Sequence, residues 1–141
     1  VSMADTVTGP TILSQNDNRV TIKIVVQSDG TGGTTVMGDV SALAANILGQ
    51  AVKYLSVQQL WFSCSAGDGG DAFARLDAED SDGDIPIITL VGNGNFDFRP
   101  FGGIPANKSN NSNEYDINLV IPGTADSGNT FSVIAEFQKL Y

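Results

Sequence analysis

Arg19-Val20-Thr21-Ile22-Lys23-Ile24-Val25-Val26-Gln27 decides the fold. Val20, Ile22, Ile24 and Val26 recur at every second position, with Arg19, Thr21, Lys23 and Gln27 on the opposite side. A period of two puts one set on each side of an extended chain, the mark of a half-buried strand. The same period returns near the other end. There Phe131, Val133, Ala135 and Phe137 share a side against Ser132, Glu136 and Gln138.

Working outward, Ser28-Asp29-Gly30-Thr31-Gly32-Gly33 reads as a turn, because glycine supplies positive φ without steric cost. Residues 34–40 read as a second strand with a bulge at Gly38. Residues 41–49 are the single helical candidate, with Ser41 as cap, Leu43, Ile47 and Leu48 on one side, and Gly49 as stop. Residues 54–64 form a long strand. Residues 71–78 and 85–91 flank an acidic tip and read as a hairpin. Short strands follow at 95–98, 115–121 and 130–140. These are about eight strands with turn signals at short intervals and no internal repeat. The expectation is an all-β fold, an antiparallel β-sandwich or jelly roll of about eight strands with at most one short helix. It forms one domain over residues 1–141, with residues 1–12 as an extended N-terminal arm.

The totals agree with one globular domain. At 141 residues, roughly 68–70% of the unfolded surface can be buried, enough for a core without staples. Seven Lys and Arg stand against sixteen Asp and Glu, a net charge of −9. That balance repels phosphate backbones, and there is no basic run, so neither nucleic acid nor an anionic membrane surface is expected as a partner. No apolar run is long enough to span a bilayer. Residues 1–6 lack the basic and apolar regions of a signal peptide; whether Met3 is an internal start stays open.

Catalytic motifs are missing. The chain has no histidine, and Cys64 is its single cysteine. With no base to activate it, that thiol reads as a small core residue. The glycine-rich stretches at 30–33 and 67–71 lack the Lys-Ser/Thr of a phosphate loop and a following helix, so they read as turns. A carboxylate pair for glycoside hydrolysis is a spatial feature that sequence does not reveal. No enzyme and no cofactor are expected.

Asp77, Glu79, Asp80, Asp82 and Asp84 crowd the hairpin tip and are the weak calcium candidates. Calcium takes six to eight oxygens. EF-hand spacing fails, since placing Gly83 sixth puts Ala78 first and Thr89 twelfth. A solvated turn explains the tip better.

The strand at 54–64 carries apolar residues on both sides: Leu55, Val57 and Trp61 on one, Leu60, Phe62 and Cys64 on the other. One side then meets another subunit or a shell, and a trimer is expected. The competing reading is a central strand covered on both sides by its own chain. Leu55, Val57, Trp61, Phe98 and Phe101 are the partner-contact candidates.

Several blocks carry a resemblance: Met3-Ala4-Asp5-Thr6-Val7-Thr8, Ser28-Asp29-Gly30-Thr31-Gly32 leading to Asp39-Val40-Ser41-Ala42-Leu43, Phe96-Asp97-Phe98 before Phe101-Gly102-Gly103-Ile104-Pro105-Ala106-Asn107, and Gly128-Asn129-Thr130-Phe131-Ser132-Val133 leading to Lys139-Leu140-Tyr141. In order and spacing they resemble small virion structural proteins of tailed bacteriophages. Residues 44–50 and the tip at 79–84 depart from that pattern. The resemblance implies a non-enzymatic capsid decoration or cement protein on the outer surface of the virion, with the major capsid protein as partner. An adhesion or carbohydrate-binding β-sandwich, or a neck or tail component, is the alternative.

Overall fold

The computed structural model describes residues 6–65, 73–79, 84–105, 116–122 and 129–141. Among these residues ten strands run in chain order: β1 Thr6–Gln15, β2 Arg19–Gln27, β3 Gly33–Gly38, β4 Tyr54–Ser65, β5 Phe73–Ala78, β6 Ile85–Val91, β7 Asn93–Asp97, β8 Ile104–Pro105, β9 Ile117–Ile121 and β10 Thr130–Leu140. One sheet has the order β1-β2-β10-β4-β7, with β8 continuing along β4 after β7. The other is β3-β9-β5-β6. Every pairing is antiparallel.

The connections define the fold more closely than the strand count. With β1 and β8 set aside, β2-β10-β4-β7 faces β3-β9-β5-β6. The chain changes sheet at every step except the β5–β6 hairpin. That path is a jelly roll. The inward residues of both sheets merge into one core, in which Val20, Ile22, Ile24 and Val26 of β2 join Phe131, Val133, Ala135 and Phe137 of β10 against Leu76, Leu90, Ile117 and Leu119. Phe131 and Phe137 are fully enclosed, each worth about 1.5–3 kcal/mol of burial.

The two strands beyond the expected eight are β1 and β8. Part of the stretch read as an arm is β1, hydrogen-bonded to β2 as an edge strand with two register shifts. All its residues are exposed. The chain there is extended, as expected, but lies on the sheet.

The helix expected over residues 41–49 is not formed. Val40–Ala42 makes one 3-10 turn, with the Asp39 carboxylate accepting from the Ser41 N–H at 3.0 Å. The Asn46 carboxamide oxygen then accepts from the N–H groups of Leu48 at 3.0 Å and Gln50 at 2.9 Å. A side chain that takes backbone donors in this way competes with the helical ladder. Ile47 and Leu48 are left exposed, so no packing compensates a short helix.

The strictly alternating β4 is also corrected. Glu136 and Phe137, consecutive on β10, face Gln59 and Val57. Gln58 is therefore an extra residue, a β-bulge that reverses the alternation. Below it, Leu55 and Val57 point into the core; above it, Leu60, Phe62 and Cys64 do. All five belong to the same core cluster. The apparent second apolar face disappears, and with it the reason for expecting a trimer. The bulge expected at Gly38 is present as a register shift between Val36 and Gly38.

Candidate functional site

The outward side of the larger sheet is built by the same alternation. Lys23 of β2 pairs with Ile134 of β10, Ile134 with Trp61 of β4, and Trp61 with Asn95 of β7. These residues form one row across the middle of the sheet, and a row of large side chains thus stands beside a row of small ones, Ser132 and Ser63. The step between the rows leaves an open depression of about 240 Å³, lined by Lys23, Trp61, Phe62, Ser63, Gly94, Ser132 and Ile134. Trp61 is 38% exposed. The Ser63 hydroxyl donates to the Asn93 Oδ1 at 2.8 Å.

The neighbouring row is charged. Arg19 of β2 is paired with Glu136 of β10. Arg99, in the 3-10 turn Arg99–Phe101 after β7, grips the Asp97 carboxylate through Nε at 2.9 Å and Nη2 at 2.8 Å. With the Gln59 amide turned so that its oxygen faces the guanidinium, it also accepts from Arg99 Nε at 2.8 Å. Hydrogen bonds from the Arg99 side chain and backbone hold the Asp97 carboxyl down to about 2, and the Asp97 hydrogen bond raises Arg99. Lys23 makes no salt bridge to a described residue.

A second surface lies on the edge where β7 hands over to β8. The rings of Phe62, Phe96 and Phe98 stack in series, with centroids 5.5 and 5.6 Å apart. Phe96 is 38% exposed, Phe98 is half-buried, and Phe101 projects from the turn with 83% of its surface in solvent. Gly103 brings the chain back against β4. Its φ is +87°, and a Cβ there would lie 3.0 Å from the Val57 carbonyl oxygen and press on Ser56 and Gln58.

The partner-contact candidates therefore separate. Leu55 and Val57 are enclosed by their own chain and reach no partner, because the Gln58 bulge turns them inward. Trp61 is on the outward face, whereas Phe98 stacks on Phe96, whose strand partner Leu60 points into the core. Phe101 stands on the rim. Lys23 and Ile134 are not among the candidates read from the sequence. Ile134 was detectable as an apolar residue in the polar register of β10.

Among the described residues of the acidic tip, Asp77, Glu79 and Asp84 do not gather as a site. Asp80 and Asp82 lie outside the described residues. Asp77 is buried and held by Arg75 Nε at 2.6 Å and Nη2 at 2.9 Å. Asp84 accepts from Asn118 Nδ2 at 3.1 Å, while the buried Asn118 Oδ1 has no partner among the described residues. Among those residues no three metal-ligating side chains cluster. Cys64 is buried, its thiol 3.6 Å from the Leu90 carbonyl oxygen. Burial pushes its pKa up to about 11, which opposes thiolate chemistry. Among the described residues no helix is long and apolar enough to cross a membrane.

No protein-family model, curated protein or solved structure matches the chain.

Proposed function

We propose that this chain is a non-enzymatic structural protein of a tailed-phage virion, decorating the outer surface of the capsid by docking on the major capsid protein. The observation that carries the reading is the aromatic edge: Phe96, Phe98 and Phe101 gathered where β7 gives way to β8, with Phe101 83% exposed. A stacked aromatic strip on a rigid edge suits a protein partner. The ordered blocks that resemble small tailed-phage virion proteins supply the setting. The jelly roll is used by viral capsid proteins and by lectins alike, so the fold supports the reading only by analogy.

A net charge of −9 favours the outside of the shell, away from packaged nucleic acid. A protein that binds the assembled shell but not free subunits stabilises the shell by mass action. Burying Phe101 contributes about 1.5–3 kcal/mol per copy, roughly a 10- to 100-fold change in affinity. The test is cosedimentation with assembled shells and with unassembled capsid subunits, followed by reconstruction of decorated particles. Binding to shells that falls about tenfold or more in Phe101→Asp is expected. Density at the neck or tail, or no binding to shells, refutes the proposal.

A further inference from the structure

We infer that the outward face of the β2-β10-β4-β7 sheet is a binding site for a carboxylate-bearing pyranose, with Trp61 as the platform and Lys23 as the partner of the carboxylate.

The first support is shape. The depression of about 240 Å³ has space for a single sugar ring, and it lies over the middle strands of the sheet. β10 is hydrogen-bonded on both sides, by β2 and β4, and β4 by β10 and β7. The lining is therefore held in place before any ligand arrives, and ordering it costs little at binding.

The second is the chemistry of the lining. A pyranose has an apolar face of C–H groups and a rim of hydroxyls. Trp61, Ile134 and the Lys23 stem supply apolar surface, and Ser132 and Ser63 supply hydroxyls. The Ser63 hydroxyl is already held by Asn93, but a purely apolar ligand would cover the Ser132 hydroxyl without giving it a partner, which is unfavourable. A sugar satisfies both parts of the site.

The third is charge complementarity. The molecule is strongly acidic, yet the outward residues of these strands and the Arg99 turn include Arg19, Lys23 and Arg99 against only Glu136 and Asp97, one cation in excess, Lys139 of β10 being buried in the inward register. Arg19 is paired with Glu136 and Arg99 with Asp97. The excess cation is Lys23, exposed and in the lining of the depression. A ligand with one carboxylate beside an apolar ring face matches that arrangement. A polyanionic chain is opposed by the net charge of −9.

Trp61 is the chain's one tryptophan, so its emission reports on the site directly. The experiment titrates the full chain with oligosaccharides ending in glucuronate, galacturonate or sialate, and with neutral glucose and galactose counterparts, while a glycan array screens more widely. Saturable change in Trp61 emission is expected, with about tenfold tighter binding for the acidic sugars. Lys23→Met should abolish that preference but keep weak binding of the neutral ring. Trp61→Ala should remove array binding. If that variant fails to fold by circular dichroism, Ile134→Ser and Lys23→Met carry the test. The inference is overturned by an absence of saturable binding to any acidic glycan, by equal affinity for neutral and acidic sugars, by a preference for nucleotides, or by binding that survives all three substitutions. Shell binding by the Lys23 variant is expected to be unchanged, so failure here is distinct from failure of the capsid reading.

Discussion

Deleting Gln58 should be far less damaging than deleting Trp61, three residues further along the same strand. Val57 and Gln59 already face the consecutive residues Phe137 and Glu136. Removing Gln58 closes the ladder into a regular strand with every core residue still pointing inward. What is lost is the Gln58 carbonyl that accepts the Phe98 N–H at 2.8 Å, and the side-chain bonds to Ser56 at 3.1 Å and Gln138 at 3.3 Å. Losing such partners costs about 1–2 kcal/mol. Trp61 has no bulge to absorb its loss. Every way of closing the ladder turns a core side chain, Leu60 or Phe62, toward solvent. Emptying a core position of that size costs about 2–5 kcal/mol, before counting the lost indole contacts. The middles of the two ranges differ by about 2 kcal/mol, in a domain whose total stability is on the order of 5–15 kcal/mol. Urea unfolding followed by far-ultraviolet circular dichroism measures this, and such a gap separates the midpoints by roughly 1 M. Equal damage from both deletions would refute the bulge. It would mean that β4 alternates strictly and that Leu55 and Val57 lie on the face opposite Leu60.

Gly102→Ala and Gly103→Ala should separate in the same assay. Both glycines have positive φ, +82° and +87°, but a Cβ meets nothing within 4 Å at Gly102 and meets β4 at Gly103; the first should cost about 1–2 kcal/mol and the second clearly more, and equal losses would contradict the close approach. The Cys64 thiol should react with a disulfide reagent at pH 8 only after denaturant is added. Because burial raises its pKa from the ordinary 9.0 to about 11, stability should be complete below pH 9 and fall between pH 9 and 11, where the unfolded thiol ionises and the folded one does not; Cys64→Ala should flatten that fall. The Asp97 carboxyl should titrate near 2 by NMR, and Arg99→Ala should return it toward 4, since Arg99 is the leading cause of its depression. Its contribution is present above pH 3.8 and lost as pH falls through about 2; a midpoint unmoved by Arg99→Ala would count against the pair.

Much of the fold is legible along the chain. The alternation in Arg19–Gln27 and Thr130–Leu140 assigns nearly every inward residue of β2 and β10 correctly, because a strand's two faces are set by its own covalent geometry. The hairpin of β5 and β6 is legible for the same reason, as is the sandwich class from the density of strands and turns. The site is less so. Trp61 and Phe101 stand out as aromatic residues, but the sequence does not put Trp61 beside Lys23 and Ile134, which are 38 and 73 positions away in the chain.

What the tertiary structure decided is which strands pair and where the alternation breaks. β4 reads as two-faced until its partner β10 shows that Gln58 is an extra residue. The order β2-β10-β4-β7 depends on contacts between the chain's two ends, and the row Lys23, Ile134, Trp61 exists only because of that order. Local sequence carries the period of each element, since that follows from backbone stereochemistry within a few residues. Register and strand order are settled by competition among many distant pairings, and the winner is the arrangement that buries both apolar sets in one core.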